Sequence, residues 1–264
     1  MHKRYRHFRN DQDRKRVPFL PNFITTMSLF CGFYSILFSF KGNFYMAAVL
    51  ILISGFIDGI DGRVARATNS ESPFGKELDS LCDLVAFGVS PALMAYLWQV
   101  NSFGKLGFIA SFLFVACGAL RLARFNTDTS GDNSYFTGLP IPMGAAGVCG
   151  MVLISDKLGT PLPSFAVLAA MYILSFLMVS TIRYPSFKHI HYIKAHPFQL
   201  LVAGLLLLVI VALEPEVMIF SLAGLFIVGG PVYNAIILIR DHIHEKKHMK
   251  GAEYENKPRE NHNI

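Results

Sequence analysis

Long apolar runs, broken by short polar stretches, recur along most of this chain. Crossing the hydrocarbon core takes about 20 residues of helix. Eight segments reach that length when their charged ends count as helix; they begin near Phe23, Phe44, Asp79, Gly104, Pro140, Pro161, Phe198 and Glu216. They end near Phe40, Arg66, Val100, Arg124, Ser155, Ile182, Leu213 and Ile239. The pattern predicts an all-α integral membrane protein, a bundle of about eight transmembrane helices. Pro91 and Pro231 fall inside segments and predict kinks, because proline lacks the amide donor a helix interior needs. Residues 1–20 form a basic, aromatic-containing juxtamembrane segment, and residues 241–264 a polar tail, disordered from 246 onward.

Composition agrees. Of 264 residues 53% are hydrophobic and only 16% charged, where a soluble domain carries about a quarter charged. The charges also set an orientation. If both termini are cytoplasmic, 21 of the 24 Lys and Arg lie on the inner side, and only Lys41, Lys105 and Lys157 lie outside. Cytoplasmic loops of membrane proteins carry this excess, so the basic balance reads as topology and not as nucleic-acid binding. The N-terminal segment is either a surface helix on anionic lipid or a solvated tail. Cys31, Cys82, Cys117 and Cys149 form no CxxC pair and read as buried free thiols. Tyr96 and Trp98 read as interfacial anchors on the outer side.

One stretch breaks the apolar pattern. "DGIDGRVARATNSESPFGKELDSLCD", residues 58–83, carries four aspartates at the predicted cytoplasmic boundary. Asp58 and Asp61 are three apart, and Asp79 and Asp83 four apart, so each pair shares one helix face. Gly62 and Ala65 lie on the first face and Gly75 one turn before Asp79, clearing space beside the carboxylates. The polar stretch at 67–74 suits a cytoplasmic loop joining two antiparallel helices. Four converging carboxylates at a membrane boundary need protons or cations. Hard divalent cations prefer oxygen ligands, and Mg²⁺ is often held by carboxylates together with substrate phosphates. Two such ions would balance four aspartates, an arrangement suited to phosphoryl transfer.

The spacing D-x-x-D-G-x-x-A-R-x(8)-G-x(3)-D-x(3)-D resembles the signature of the CDP-alcohol phosphatidyltransferase family. It is met here by Asp58, Asp61, Gly62, Ala65, Arg66, Gly75, Asp79 and Asp83. The stretches "LPNFITTMSLFCGFYSI", "GALRLARFN", "FTGLPIPMGA" and "STIRYPSFK" resemble that family's phosphatidylserine synthase branch. The resemblance implies a catalytic core over 21–190 of about six helices, then two further helices over 191–240. It implies metal-dependent transfer of a phosphatidyl group from CDP-diacylglycerol to the hydroxyl of L-serine, with CMP released. It further implies Asp58, Asp61, Asp79 and Asp83 as ligands of Mg²⁺ or Mn²⁺, two ions per site, with Asp83 as ligand or general base. Gly62, Ala65, Arg66 and Gly75 face the nucleotide. A homodimer in a prokaryotic cytoplasmic membrane is expected, with a polar cavity open to the cytoplasm.

Other positions follow from chemistry. Asn22 and Thr25 precede or open the first segment and either reach the nucleotide or cap the helix. Arg121 and Arg124, three apart, and Arg183 are candidates to hold the acceptor's carboxylate or the diphosphate, since arginine binds both bidentately. Glycerol 3-phosphate or an inositol compound is the alternative acceptor. A cation transporter or a non-catalytic scaffold is the alternative outside the family.

Overall fold

The computed structural model describes residues 19–68, 72–127, 135–185 and 213–255. The predicted seventh segment, most of the basic N-terminal segment and the last nine residues lie outside them. Among the described residues the chain is helical apart from one short ribbon. In order come α1 (Phe19–Phe40), α2 (Phe44–Ala67), α3 (Pro73–Asp83), a π-helical stretch (Leu84–Val89) and α4 (Ser90–Trp98). After them come α5 (Lys105–Thr127), α6 (Ile141–Leu158), α7 (Ser164–Val179) and α8 (Pro215–Glu255). Among the described residues six helices are long and apolar enough to cross a membrane: α1, α2, the continuous span Pro73–Trp98, α5, α6 and the first part of α8. The apolar α7 has 16 residues.

Local chemistry sets the helix ends. Gly42, at φ 75°, reverses the chain after α1, and the Asn43 side chain caps α2 by accepting from Met46 N–H. Ser72 caps α3, accepting from Gly75 N–H, and Pro73 occupies the first turn where no donor is needed. Gly159, at φ 62°, closes α6.

Three expectations are corrected. The third span starts at Pro73 and not near Asp79, because the Ser72–Pro73 cap starts the helix before its apolar part; the loop shortens to match. The sixth segment is shorter than 161–182, bounded by Pro163 and by extended backbone at Ser180. The last helix runs past Ile239 to Glu255, through residues expected to be disordered. One short ribbon accompanies the helices: β1 (Tyr135–Thr137) pairs antiparallel with β2 (Arg183–Pro185).

The ribbon joins a stretch that leads into α6 to the stretch that follows α7. Gly138 N–H donates to Ile182 O and Leu139 N–H to Leu177 O. Within it, Tyr184 of β2 is fully buried, stacks on Phe226 with centroids 5.4 Å apart and donates to Ile227 O. The ribbon thereby holds α8, which packs along α6. At the other end of α6, Lys157 pairs with Glu214 and Glu216.

The core sits where α1, α2, the third span and α6 meet. Ala47, Ala48, Ile51, Ala86, Phe87 and Ile141 are buried there. Ser28 and Ser54 exchange hydrogen bonds between α1 and α2, their Oγ atoms 2.7 Å apart. Paired hydroxyls of this kind satisfy polar groups where no water is available.

The π-helical stretch lies at the centre of the third span. Pro91 has no N–H for the Phe87 carbonyl, so the α pattern cannot run through this point. Instead Ser90 N–H donates to Val85 O, five residues back, the wider turn that defines a π-bulge. The single O–H of Ser90 is shared between Gly32 O on α1 (2.8 Å) and the same Val85 carbonyl (2.9 Å). Gly32 is required by the close approach: a Cβ there would lie 2.7 Å from Ala86 Cα. Gly32→Val is expected to destabilise the folded protein by about 1–3 kcal/mol through overpacking. Thermal unfolding in one fixed detergent checks this, and an unchanged midpoint would show that α1 has room to move.

Candidate active site

The four aspartates converge from two helices. The last turns of α2 carry Asp58 and Asp61, and α3 carries Asp79 and Asp83. Carboxylate oxygens of Asp58, Asp61 and Asp79 all lie within 4.8 Å of one another. Asp83 stands beside Asp58, their side chains within hydrogen-bonding reach. Asp61 is only 5% exposed and accepts from Thr25 Oγ1 at 2.7 Å. Thr25 thus ties the first turns of α1 to the acid cluster.

Nothing among the described residues neutralises this charge by a direct ion pair. The only salt bridges there are those of Lys157, at the far end of α6. Asp79 Oδ1 is buried and has no hydrogen-bond partner, an expensive state for a carboxylate oxygen. Three clustered carboxylates with one unused buried oxygen suit a hard divalent cation, which takes oxygen ligands and repays their desolvation. Among the described residues no cysteine or histidine joins the group. The residues present fit Mg²⁺ or Mn²⁺.

Beside the acids opens a cavity of about 660 Å³. Asn22, Thr25, Gly62, Ala65, Arg66 and Gly75, all singled out by the sequence, line it together with Asp61 and Asp79. The small residues keep side-chain bulk off the cavity wall. At Gly62 a Cβ would meet only the Arg66 guanidinium, at 3.6 Å. At Gly75 it would come 3.1 Å from Asn22 Oδ1 and 3.2 Å from Ser72 Oγ. Asn22 and Thr25 are not caps but sit inside the first two turns of α1. That places both side chains on the cavity wall.

The arginines separate. Arg121 is half-buried, close enough to Asp83 for their charges to interact, and its Nε has no hydrogen-bond partner. Arg124, one turn further toward the end of α5, is exposed and does not line the cavity. Arg183 lies in β2, its backbone opposite Thr137; its side chain is outside the described residues.

Sequence reasoning passed over Ser72, Lys76 and Phe125, which also line the cavity. Ser72 carried a signal, the Ser-Pro start of a helix. Phe125 carried none, because an aromatic at the end of an apolar run reads as an interfacial anchor.

A profile of the CDP-alcohol phosphatidyltransferase family matches residues 18–229 of this chain. The chain is 39% identical over 225 residues to the CDP-diacylglycerol–serine O-phosphatidyltransferase of Helicobacter pylori, covering 83% of this chain and 92% of that protein. It is 37% identical over 180 residues to the archaetidylserine synthase of Methanothermobacter thermautotrophicus, covering 66% and 73%. It is 36% identical over 170 residues to the CDP-diacylglycerol–serine O-phosphatidyltransferase of Bacillus subtilis, covering 64% and 92%.

Proposed function

The chain belongs to the CDP-alcohol phosphatidyltransferase family, and from that membership and the site we propose that it is a phosphatidylserine synthase. It transfers the phosphatidyl group of CDP-diacylglycerol to the hydroxyl of L-serine and releases CMP. The carrying observation is the three-carboxylate cluster opening onto a cavity large enough for a nucleotide.

Asp58, Asp61 and Asp79 would hold the divalent metal, Mg²⁺ or Mn²⁺, and two ions would balance the four acids. When bound, the metal supplies positive charge to the phosphoryl oxygens. Thr25 fixes Asp61 by its hydrogen bond, which limits the ways that carboxylate can turn. Gly62, Ala65 and Gly75 keep the wall bare, so that the nucleotide lies against backbone. Asn22 and Arg66 offer it polar contacts. Asp83, outside the three-carboxylate group but beside Asp58, accepts the serine hydroxyl proton as the oxygen attacks phosphorus, and CMP departs with the electron pair.

Arg121 receives the serine carboxylate. Its unpartnered Nε and its position near Asp83 support this: an anchored carboxylate there sets the hydroxyl near the base. Arg124 and Arg183 remain candidate contacts to the diphosphate or the acceptor. Arg121→Lys keeps the charge but loses the planar fork, and is expected to raise KM for serine about tenfold or more, with KM for the CDP-lipid unchanged. Steady-state CMP release at varied serine checks it, and an unchanged serine KM would remove Arg121 from this role.

The site faces the cytoplasm of a prokaryotic cell. The bundle has eight spans with both termini inside, and it works as a homodimer in the cytoplasmic membrane. The catalytic core is 21–190, followed by two helices over 191–240. The supporting observation is the side on which charges fall. Arg63, Arg66, Lys76, Arg121 and Arg124 lie at the acid end of their helices, while Lys41, Lys105 and Lys157 lie at the other. A C-terminal reporter read from outside the cell would overturn the orientation, and a monomeric mass in lipid would overturn the dimer.

The decisive assay measures CMP release from CDP-diacylglycerol by purified protein, with serine, glycerol 3-phosphate and inositol phosphate in parallel. Release with serine alone is expected. Release with another alcohol would keep the site and change the acceptor.

A further inference from the structure

We infer that Phe125 and Asn22 recognise the base of the nucleotide: the ring stacks on Phe125, and the Asn22 amide meets the base edge. This rests on the reading of the cavity as the nucleotide's place and adds to it a residue outside the aspartate motif. Phe125 is the one aromatic side chain on that cavity's wall among the described residues. It comes from α5, whereas the small, polar and acidic lining residues come from α1, α2 and the start of α3. A flat ligand entering the cavity therefore finds one π face, on a wall it shares with the small residues Gly62, Ala65 and Gly75.

Phe125 is held at this position and yet open. The neighbouring Asn126 donates from Nδ2 to Ser80 Oγ at 2.9 Å, and Lys76 Nζ donates to Asn126 O at 3.4 Å. These two bonds fasten the end of α5 to α3. Phe125 itself is 56% exposed, so its ring is not consumed by core packing. Base–aromatic stacking is a general means of holding a base, tolerant of its identity because every base has a π face.

A second observation is independent of the first. Asn22 Nδ2 is buried without a hydrogen-bond partner, and Asn22 lines the same cavity. An amide has two donors and an acceptor, and buried polar atoms in folded proteins are nearly always paired. An edge carrying acceptors, as a pyrimidine does, supplies the missing partner. Gly75 preserves the room for it, because a Cβ there would press on Asn22 Oδ1.

The test uses the full chain in lipid nanodiscs with Mg²⁺, with binding of CMP and of ribose 5-phosphate measured by calorimetry. Ribose 5-phosphate has the sugar phosphate without the base. Phe125→Ala and Phe125→Leu are expected to weaken CMP about tenfold or more and to leave ribose 5-phosphate unchanged, while Phe125→Tyr binds CMP as the wild type does. Asn22→Ala is expected to be selective in the same way. Wild-type affinity for CMP in Phe125→Leu would overturn the stack and leave an apolar membrane anchor. Equal losses for both probes would overturn it in favour of a role in shaping the cavity. No CMP binding by the wild type would overturn the nucleotide reading on which the inference stands.

Discussion

Asp83→Asn is expected to lower turnover with CDP-diacylglycerol and serine by about 10²- to 10⁴-fold, the range contributed by a positioned general base, while CMP still binds. The substitution keeps the size of the side chain and a hydrogen-bonding oxygen, so the packing beside Asp58 is preserved. It removes the group able to take a proton. Asp83 is also the acid that does not join the three-carboxylate cluster, which separates its part from that of the others. Single-turnover CMP release and CMP binding, measured on the same preparation, check the two halves of the prediction. A variant with turnover near the wild type would shift proton transfer to another group. A variant that loses CMP and metal binding together would make Asp83 a ligand first.

The second large effect lies in the cluster itself. Chelation of divalent ions is expected to abolish CMP release, and Mg²⁺ or Mn²⁺ to restore it. Asp79→Asn is expected to reduce turnover by about 10³-fold or more, because each acid of a metal site both holds the charge and fixes its place. Stability should move in two directions. Without metal, four carboxylates repel one another, and neutralising one relieves part of that repulsion. Asp79→Asn should therefore unfold at a higher temperature than the wild type in chelator. Added Mg²⁺ should raise the wild-type midpoint by ligand linkage and raise that of the variant much less. Thermal unfolding with and without metal reads both. A wild-type midpoint indifferent to Mg²⁺ and Mn²⁺ would contradict a metal held by Asp58, Asp61 and Asp79.

Six of the expected spans were legible because hydropathy over about 20 residues is a strong signal. Their ends were less so. The start of the third span is amphipathic and charged, so a reading by apolar runs begins at Asp79, although Ser72 and Pro73 announce a helix earlier. The end of α8 continues through charged residues that are good helix formers, which polarity alone reads as a tail.

The aspartate pairs were legible through spacing, since three- and four-residue intervals share a face. Depth was not. Arg121 and Arg124 share an angular sector, yet one turn along the helix carries Arg124 out to full exposure while Arg121 stays near Asp83. Contacts across helices were out of reach as well. Neither the Ser28–Ser54 bonds nor the meeting of Phe125 with Asn22 at one cavity follows from the periodicity of any single segment.

The π-helical stretch at Leu84–Val89 divides the third span into two halves with separate fates. A π turn winds in about one residue more than an α turn, which rotates one side against the other by about 100°. Asp79 and Asp83 lie on one side of it, and the buried Ala92, Met94 and Ala95 on the other. The helix therefore inherits its chemistry and its packing as two modules joined at a swivel. Substitutions in the packing half can accumulate over generations without re-aiming the acids. Gain or loss of a single residue between 84 and 89 would re-aim them in one step.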